Sequence, residues 1–136
     1  MKLPSATEHQ IQTQIINYLR INGYYVMRLN SGKYAVGEGR DRRFVMGQDA
    51  GTPDLMAFKA LEIPILGKHI PEGIDAVINK IAVSTIFVLF IEVKRPGKKA
   101  TSLQEVKMRE LTDYGARCIV ATSVEDLKEK LYGKHE

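Results

Sequence analysis

The side chains able to do chemistry together are Glu8, Asp54, Glu92, Lys94 and Gln104. In the run Ile91-Glu-Val-Lys94, strand alternation puts Glu92 and Lys94 on one face, about 6.6 Å apart. A carboxylate and an ammonium at the end of a strand that is apolar on both faces cost free energy unless something pairs with them. A lone E-x-K is better read as a strand end emerging into solvent, and Asp54 changes that balance. It opens the preceding strand, so if consecutive strands run antiparallel it lies beside Glu92, with neighbouring strands about 4.8 Å apart. Two carboxylates that close repel unless one is protonated or a cation sits between them. Their oxygens suit Mg²⁺ or Mn²⁺, which take one or two carboxylates, waters and phosphate oxygens, rather than a softer metal.

Glu8 is the third acid. At about 100° per residue it centres on the stripe Ile11, Ile15, Leu19, one turn above it, and so faces the sheet. It also fits a second role, since Ser5-Ala-Thr-Glu8 reads as a capping box whose Glu would contact its own helix start. Gln104 has the same two readings. It can orient Lys94 or a water, or it can complete a capping box after Thr101.

These residues need a framework, and the hydrophobic pattern supplies one. A helix runs from the Ser5 box to about Ile21 and stops at Gly23, burying Ile11, Ile15, Ile16, Tyr18 and Leu19. Tyr24–Leu29 reads as a strand. Asn30–Thr52 reads as a long Gly-rich polar loop, a kind that is usually functional. Asp54–Lys59 is a second strand begun by Pro53. Ile86–Lys94, apolar on both faces, reads as a central strand covered on both sides. A helix over Ser102–Tyr114, a strand over Cys118–Thr122 and a helix capped by Ser123 and ending near Tyr132 complete the order. Between the second and third strands lies an insert, 60–85, where Ile70, Ile74, Val77, Ile78 and Ile81 fall at helical spacing. The order implies a single α/β domain over 1–136 with a mixed sheet and helices on its faces.

Composition narrows the class further. The chain has 136 residues, 44% hydrophobic and 26% charged, which suits one soluble domain and excludes wholesale disorder. Its single cysteine, Cys118, excludes an internal disulfide framework and a cysteine-based zinc cluster. Residues 81–91 are too short an apolar run to span a bilayer, and the first residues lack a signal-peptide core, so a cytosolic protein is expected. The net charge of +4 is uneven. Arg28, Lys33, Arg40, Arg42 and Arg43 fall in one loop and Lys94, Arg95, Lys98 and Lys99 in another, as in a nucleic-acid footprint or in two solvated loops. His9, His69 and His135 are scattered singly. Gly37-Glu-Gly39 lacks a nucleotide-loop context, and Cys118, inside an apolar strand, reads as a buried thiol rather than a nucleophile.

Taken in order, Glu8, Gly51-Thr-Pro-Asp54, Ile91-Glu-Val-Lys94 and Gln104 resemble the PD-(D/E)xK nuclease superfamily. Within it the chain is most similar to the VRR-Nuc family, the virus-type replication-repair nucleases. The helix end Tyr-Leu-Arg-Ile-Asn-Gly23, Arg28-Leu-Asn-Ser-Gly32 and the Gly115 turn add to the likeness, which covers most of the chain outside the insert. The resemblance implies a restriction-endonuclease-like αβββαβ core. It implies that Asp54, Glu92 and the Val93 main-chain carbonyl bind Mg²⁺ or Mn²⁺, with Glu8 acting through metal-bound water. Lys94 would position the attacking water and stabilise charge on the phosphate, with Gln104 supporting Lys94, and hydrolysis would leave a 5′-phosphate.

The stand-alone, mostly viral or phage members that it resembles look like homodimeric, structure-selective endonucleases acting on four-way (Holliday) junctions. DNA, a second copy of the chain and a bacterial host are therefore the expected partners and setting. Arg28, Lys33, Arg40, Arg42, Arg43, Arg95, Lys98 and Lys99 are the candidate DNA contacts. The alternatives are a nuclease of the same fold working on flaps or DNA ends, and a non-catalytic DNA-binding module.

Overall fold

The computed structural model describes residues 4–29, 33–61 and 85–133. The chain runs α1 (Glu8–Ile21), β1 (Tyr25–Arg28), β2 (Lys33–Val36), a short 3-10 turn (Gly39–Asp41), β3 (Arg43–Met46), β4 (Leu55–Ala60), β5 (Ile86–Val93), α2 (Ser102–Asp113), β6 (Arg117–Ala121) and α3 (Val124–Tyr132). The main sheet has four strands in the order β1-β4-β5-β6. β1, β4 and β5 pair antiparallel and β6 joins β5 in parallel, so the sheet is mixed, as the element order implied. β2 and β3 form a separate two-stranded ribbon.

One face of the sheet holds the core. Val26, Leu55, Ala57, Leu89, Ile91, Val93, Ile119 and Ala121 pack there against Ile11, Ile15, Ile16 and Leu19 of α1 and Leu127 and Leu131 of α3. The alternation of β5 explains the choice, since Leu89, Ile91 and Val93 are buried while Val88 and Phe90 are half-buried and Ile86 is exposed. β5 is an inner strand, as expected. Both of its faces are covered, as expected, but the second less completely, with Glu92 buried and Val88 and Phe90 half-buried. α2 lies over the second face and buries none of its own residues completely.

Two local expectations change. The cap of α1 is Thr7, not Ser5: the Thr7 hydroxyl accepts from the Gln10 N–H at 3.2 Å, and the Thr7 N–H donates to Gln10 Oε1 at 2.8 Å. Either hydroxyl suits a cap; Gln10 closes the box for Thr7 and leaves the Glu8 carboxylate out of it. The stretch Asn30–Thr52 is not a structureless loop, because Lys33–Val36 and Arg43–Met46 pair as a hairpin. Gly37 makes its turn possible. It has φ +86°, and a Cβ there would lie 2.7 Å from the Asp41 carbonyl oxygen. The expected Ile-rich helix of the 60–85 insert lies outside the described residues. Its two ends meet across the extended ladder, where the Leu61 N–H donates to the Thr85 carbonyl at 3.0 Å.

Candidate active site

The site forms where β4 begins and β5 ends. Antiparallel pairing sets Leu55 opposite Ile91, which carries Asp54 alongside Glu92. The Asp54 side chain then takes over from the strand ladder: its Oδ2 accepts the Val93 N–H at 2.7 Å. Its own carbonyl receives the Leu29 N–H at 2.8 Å, tying it to the end of β1. The approach to Asp54 is constrained as well. Gly51 has φ +85°, and a Cβ on it would meet the Leu103 carbonyl oxygen at 2.7 Å, while Pro53 is fully buried. The loop before Asp54 is thereby pressed against the first turn of α2.

Among the described residues Glu92 is the buried charge, at 2% exposure. Its Oε1 receives two donors, Lys94 Nζ at 2.8 Å and Gln104 Nε2 at 2.6 Å. Its Oε2 is buried and has no hydrogen-bond partner among the described residues. Gln104 also completes the capping box of α2: its Oε1 accepts the Thr101 N–H at 2.8 Å, and its own N–H donates to the Thr101 hydroxyl at 3.3 Å. The capping reading of Gln104 is therefore realised. Its direct contact is to Glu92, the acid that it shares with Lys94. The Thr101 N–H was not anticipated as part of the site, although Thr101-x-x-Gln104 was visible as a box.

Electrostatics follow from this packing. Burial pushes the Glu92 carboxyl above the usual carboxylate range, and the negative charges of Asp54 and Glu8 add to this against the opposing Lys94. Burial likewise raises Asp54, opposed by the Val93 N–H and Lys94 and reinforced by Glu8. Burial lowers Lys94, but its hydrogen bond and charge contact with Glu92, with Glu8 and Asp54 behind, outweigh that and hold the ammonium above its ordinary value. Glu8, exposed at the first position of α1, thus acts on the same cluster through its charge.

An acid pair with one oxygen left bare fits a small divalent cation, because a buried carboxylate oxygen without a donor keeps an unmet demand for positive charge. Among the described residues no group of three or more His, Cys, Asp and Glu side chains is arranged to hold a metal. Direct protein ligation would thus rest on two carboxylates and main-chain oxygen, the sparse set that Mg²⁺ accepts with waters. His9 is exposed, and Cys118 is half-buried on β6 with its thiol pushed up by burial, against a hydrogen bond to Thr112. Neither belongs to the site.

The basic candidates divide into two groups. Arg28 closes β1 opposite Leu55, and Arg95, Lys98 and Lys99 follow β5, so all four leave the sheet at its acidic end. Arg40, Arg42 and Arg43 are carried by the hairpin, whose first residue is Lys33. None of Arg28, Arg40, Arg42, Arg43, Arg95, Lys98 and Lys99 forms an ion pair with a described acid.

A family model, the VRR-NUC domain, matches residues 6–125. The chain belongs to the VRR-NUC domain family. One solved structure, described as a VRR_NUC domain, aligns with a TM-score of 0.53 at 20% identity, over 96% of this chain and 100% of that one. At that identity the likeness establishes the shared fold. Comparison with curated proteins gives no match. Membership in the VRR-NUC family gives the chain a nuclease-type function directed at DNA, and among the described residues no helix is long and apolar enough to cross a membrane.

Proposed function

We propose that the chain is a Mg²⁺- or Mn²⁺-dependent endodeoxyribonuclease that selects branched DNA, four-way junctions first, and works as a homodimer. The observation that carries the chemistry is the bare Glu92 Oε2 beside Asp54, in a carboxylate whose other oxygen is fully engaged. Asp54, Glu92 Oε2 and the Val93 carbonyl would hold the cation, with Glu8 reaching it through water. Such an ion, when bound, lowers the pKa of its water and neutralises charge on a phosphate.

The protein's own residues do the positioning. The Val93 N–H fixes the Asp54 carboxylate, and Gln104 and Lys94 fix the Glu92 carboxylate. Lys94, 15% exposed and within hydrogen-bond distance of Glu92, would hold the attacking water and donate to a phosphate oxygen as charge develops there. The free cations around the site supply the sequence-independent attraction to phosphates. A two-fold dimer would set two such sites on opposed strands, which suits symmetric cutting at a junction.

Comparing cleavage of a four-way junction, a 5′-flap and a linear duplex tests the substrate assignment. Paired nicks near the crossover, with the other two substrates cut far more slowly, support it. Preference for the flap or for ends would move the protein to end processing, and sedimentation as a monomer would remove the dimer.

A further inference from the structure

We infer that the β2–β3 ribbon is a grip for unpaired DNA, in which Phe44 stacks on an exposed base while Arg40, Arg42 and Arg43 hold the neighbouring phosphates. The inference rests on the nuclease reading and narrows what that nuclease recognises. Among the described residues the ribbon pairs with itself, apart from the main sheet. On it Phe44 is 68% exposed, with the Arg42 guanidinium 5.8 Å from its ring centroid. Opposite it in register is Ala35, a residue too small to cover a phenyl ring. Arg40, Arg42 and Arg43 are exposed, and none pairs with a described acid, Glu38 and Asp41 included. A largely exposed aromatic ring, with the Arg42 guanidinium over it and Arg40 and Arg43 close by in the chain, matches the composition of single-strand binding surfaces, where bases stack on rings and cations follow the backbone.

The ring itself decides between paired and unpaired DNA. A phenyl group has no hydrogen-bond donor or acceptor with which to read a base edge, so its main gain comes from stacking. In a closed duplex the base faces are covered by their neighbours, whereas a flap, a gap or a strained branch point leaves one open. The chain between Met46 and Asp54 can span at most about 28 Å, so the ribbon stays within a few nucleotides' reach of the acidic pair.

Phe44 is exposed, so its variants leave the core intact, and the chain contains no tryptophan, so Phe44→Trp creates a single fluorescent reporter. The experiment measures binding in EDTA, so that no cutting intervenes, to a 5′-flap, a single strand and a blunt duplex of equal length. Phe44→Ala is expected to weaken flap and single-strand binding roughly tenfold or more, with duplex affinity changed less than about twofold. Phe44→Tyr should restore binding and Phe44→Leu should not. Phe44→Trp emission should be quenched by the flap and the single strand but not by the duplex. Equal losses on all three DNAs, full rescue by Leu, or unchanged Trp emission would overturn the inference. Because no catalysis is needed, a protein that fails to cut any DNA would sink the nuclease reading and leave this result standing.

Discussion

Gln104 reaches in two directions at once: its Oε1 accepts the Thr101 N–H at 2.8 Å, and its Nε2 donates to Glu92 Oε1 at 2.6 Å. The cap therefore fixes which end of the amide faces the acid. A capping box accepts Gln or Glu at this position, but only Gln can present a donor to Glu92.

Gln104→Glu should for this reason keep α2 and damage the site. It retains an acceptor for Thr101 and places a carboxylate against Glu92. Cleavage should fall roughly 10- to 100-fold, the usual cost of losing a partner that orients a ligand, while helicity by circular dichroism stays unchanged. Activity within twofold of the parent would show that the 2.6 Å contact does not matter.

Asp54→Asn separates charge from shape. Asn keeps an acceptor for the Val93 N–H and removes one of two crowded negative charges. In EDTA the variant should melt higher than the parent, because the repulsion beside Glu92 is relieved. Adding millimolar Mg²⁺ should raise the melting temperature of the parent and leave the variant nearly unmoved, since only a folded chain with both acids binds the ion well. A lower melting temperature in EDTA would mean that the pair is not repulsive.

Gly51→Ala tests how the loop delivers Asp54. The substitution meets φ +85° and a backbone oxygen 2.7 Å away, neither of which a flexible side chain can relieve. It should destabilise the fold by about 1–3 kcal/mol in urea unfolding and lower activity in the surviving folded protein. A neutral substitution would show that the loop and α2 do not need their close approach.

Much of this was legible in the residues. Glu92 sits on a strand whose alternation is unambiguous, with Lys94 just past its end, and Asp54 lands beside Glu92 because consecutive antiparallel strands place a start against an end. What escaped reading depended on contacts between distant segments. Gly51 looks like any loop glycine until Leu103 lies over it, and nothing local tells which oxygen of Glu92 will be left bare. The ribbon was hidden for a different reason: Lys-Tyr-Ala-Val36 and Arg-Phe-Val-Met46 are short, and the glycines and charges between them read as loop. The cap of α1 was misplaced because Ser5 and Thr7 are both good caps, and only Gln10 decides between them.

Asp126 gives a pH dependence apart from the site. Burial alone would raise its carboxyl, but Lys130, the Thr122 N–H and the Thr122 hydroxyl outweigh this and hold it below the usual range. The folded chain therefore binds fewer protons here than the unfolded chain between the lowered value and the ordinary one. The stabilisation is fully present above about pH 4 and is lost as the pH falls through the lowered value. Asp126→Ala should cost about 1–2 kcal/mol at neutral pH and flatten the acid limb of the stability curve. An acid limb identical to the parent's would remove Asp126 from the balance.

The most direct test of the central claim is cleavage of an end-labelled four-way junction by the parent and by Lys94→Ala, each with Mg²⁺, Mn²⁺ or EDTA. The account predicts cutting by the parent with either cation and none in EDTA. It predicts a loss of about 100-fold or more in Lys94→Ala, with junction binding retained within about threefold. Tight binding without cutting under any cation, or full activity in Lys94→Ala, would contradict it.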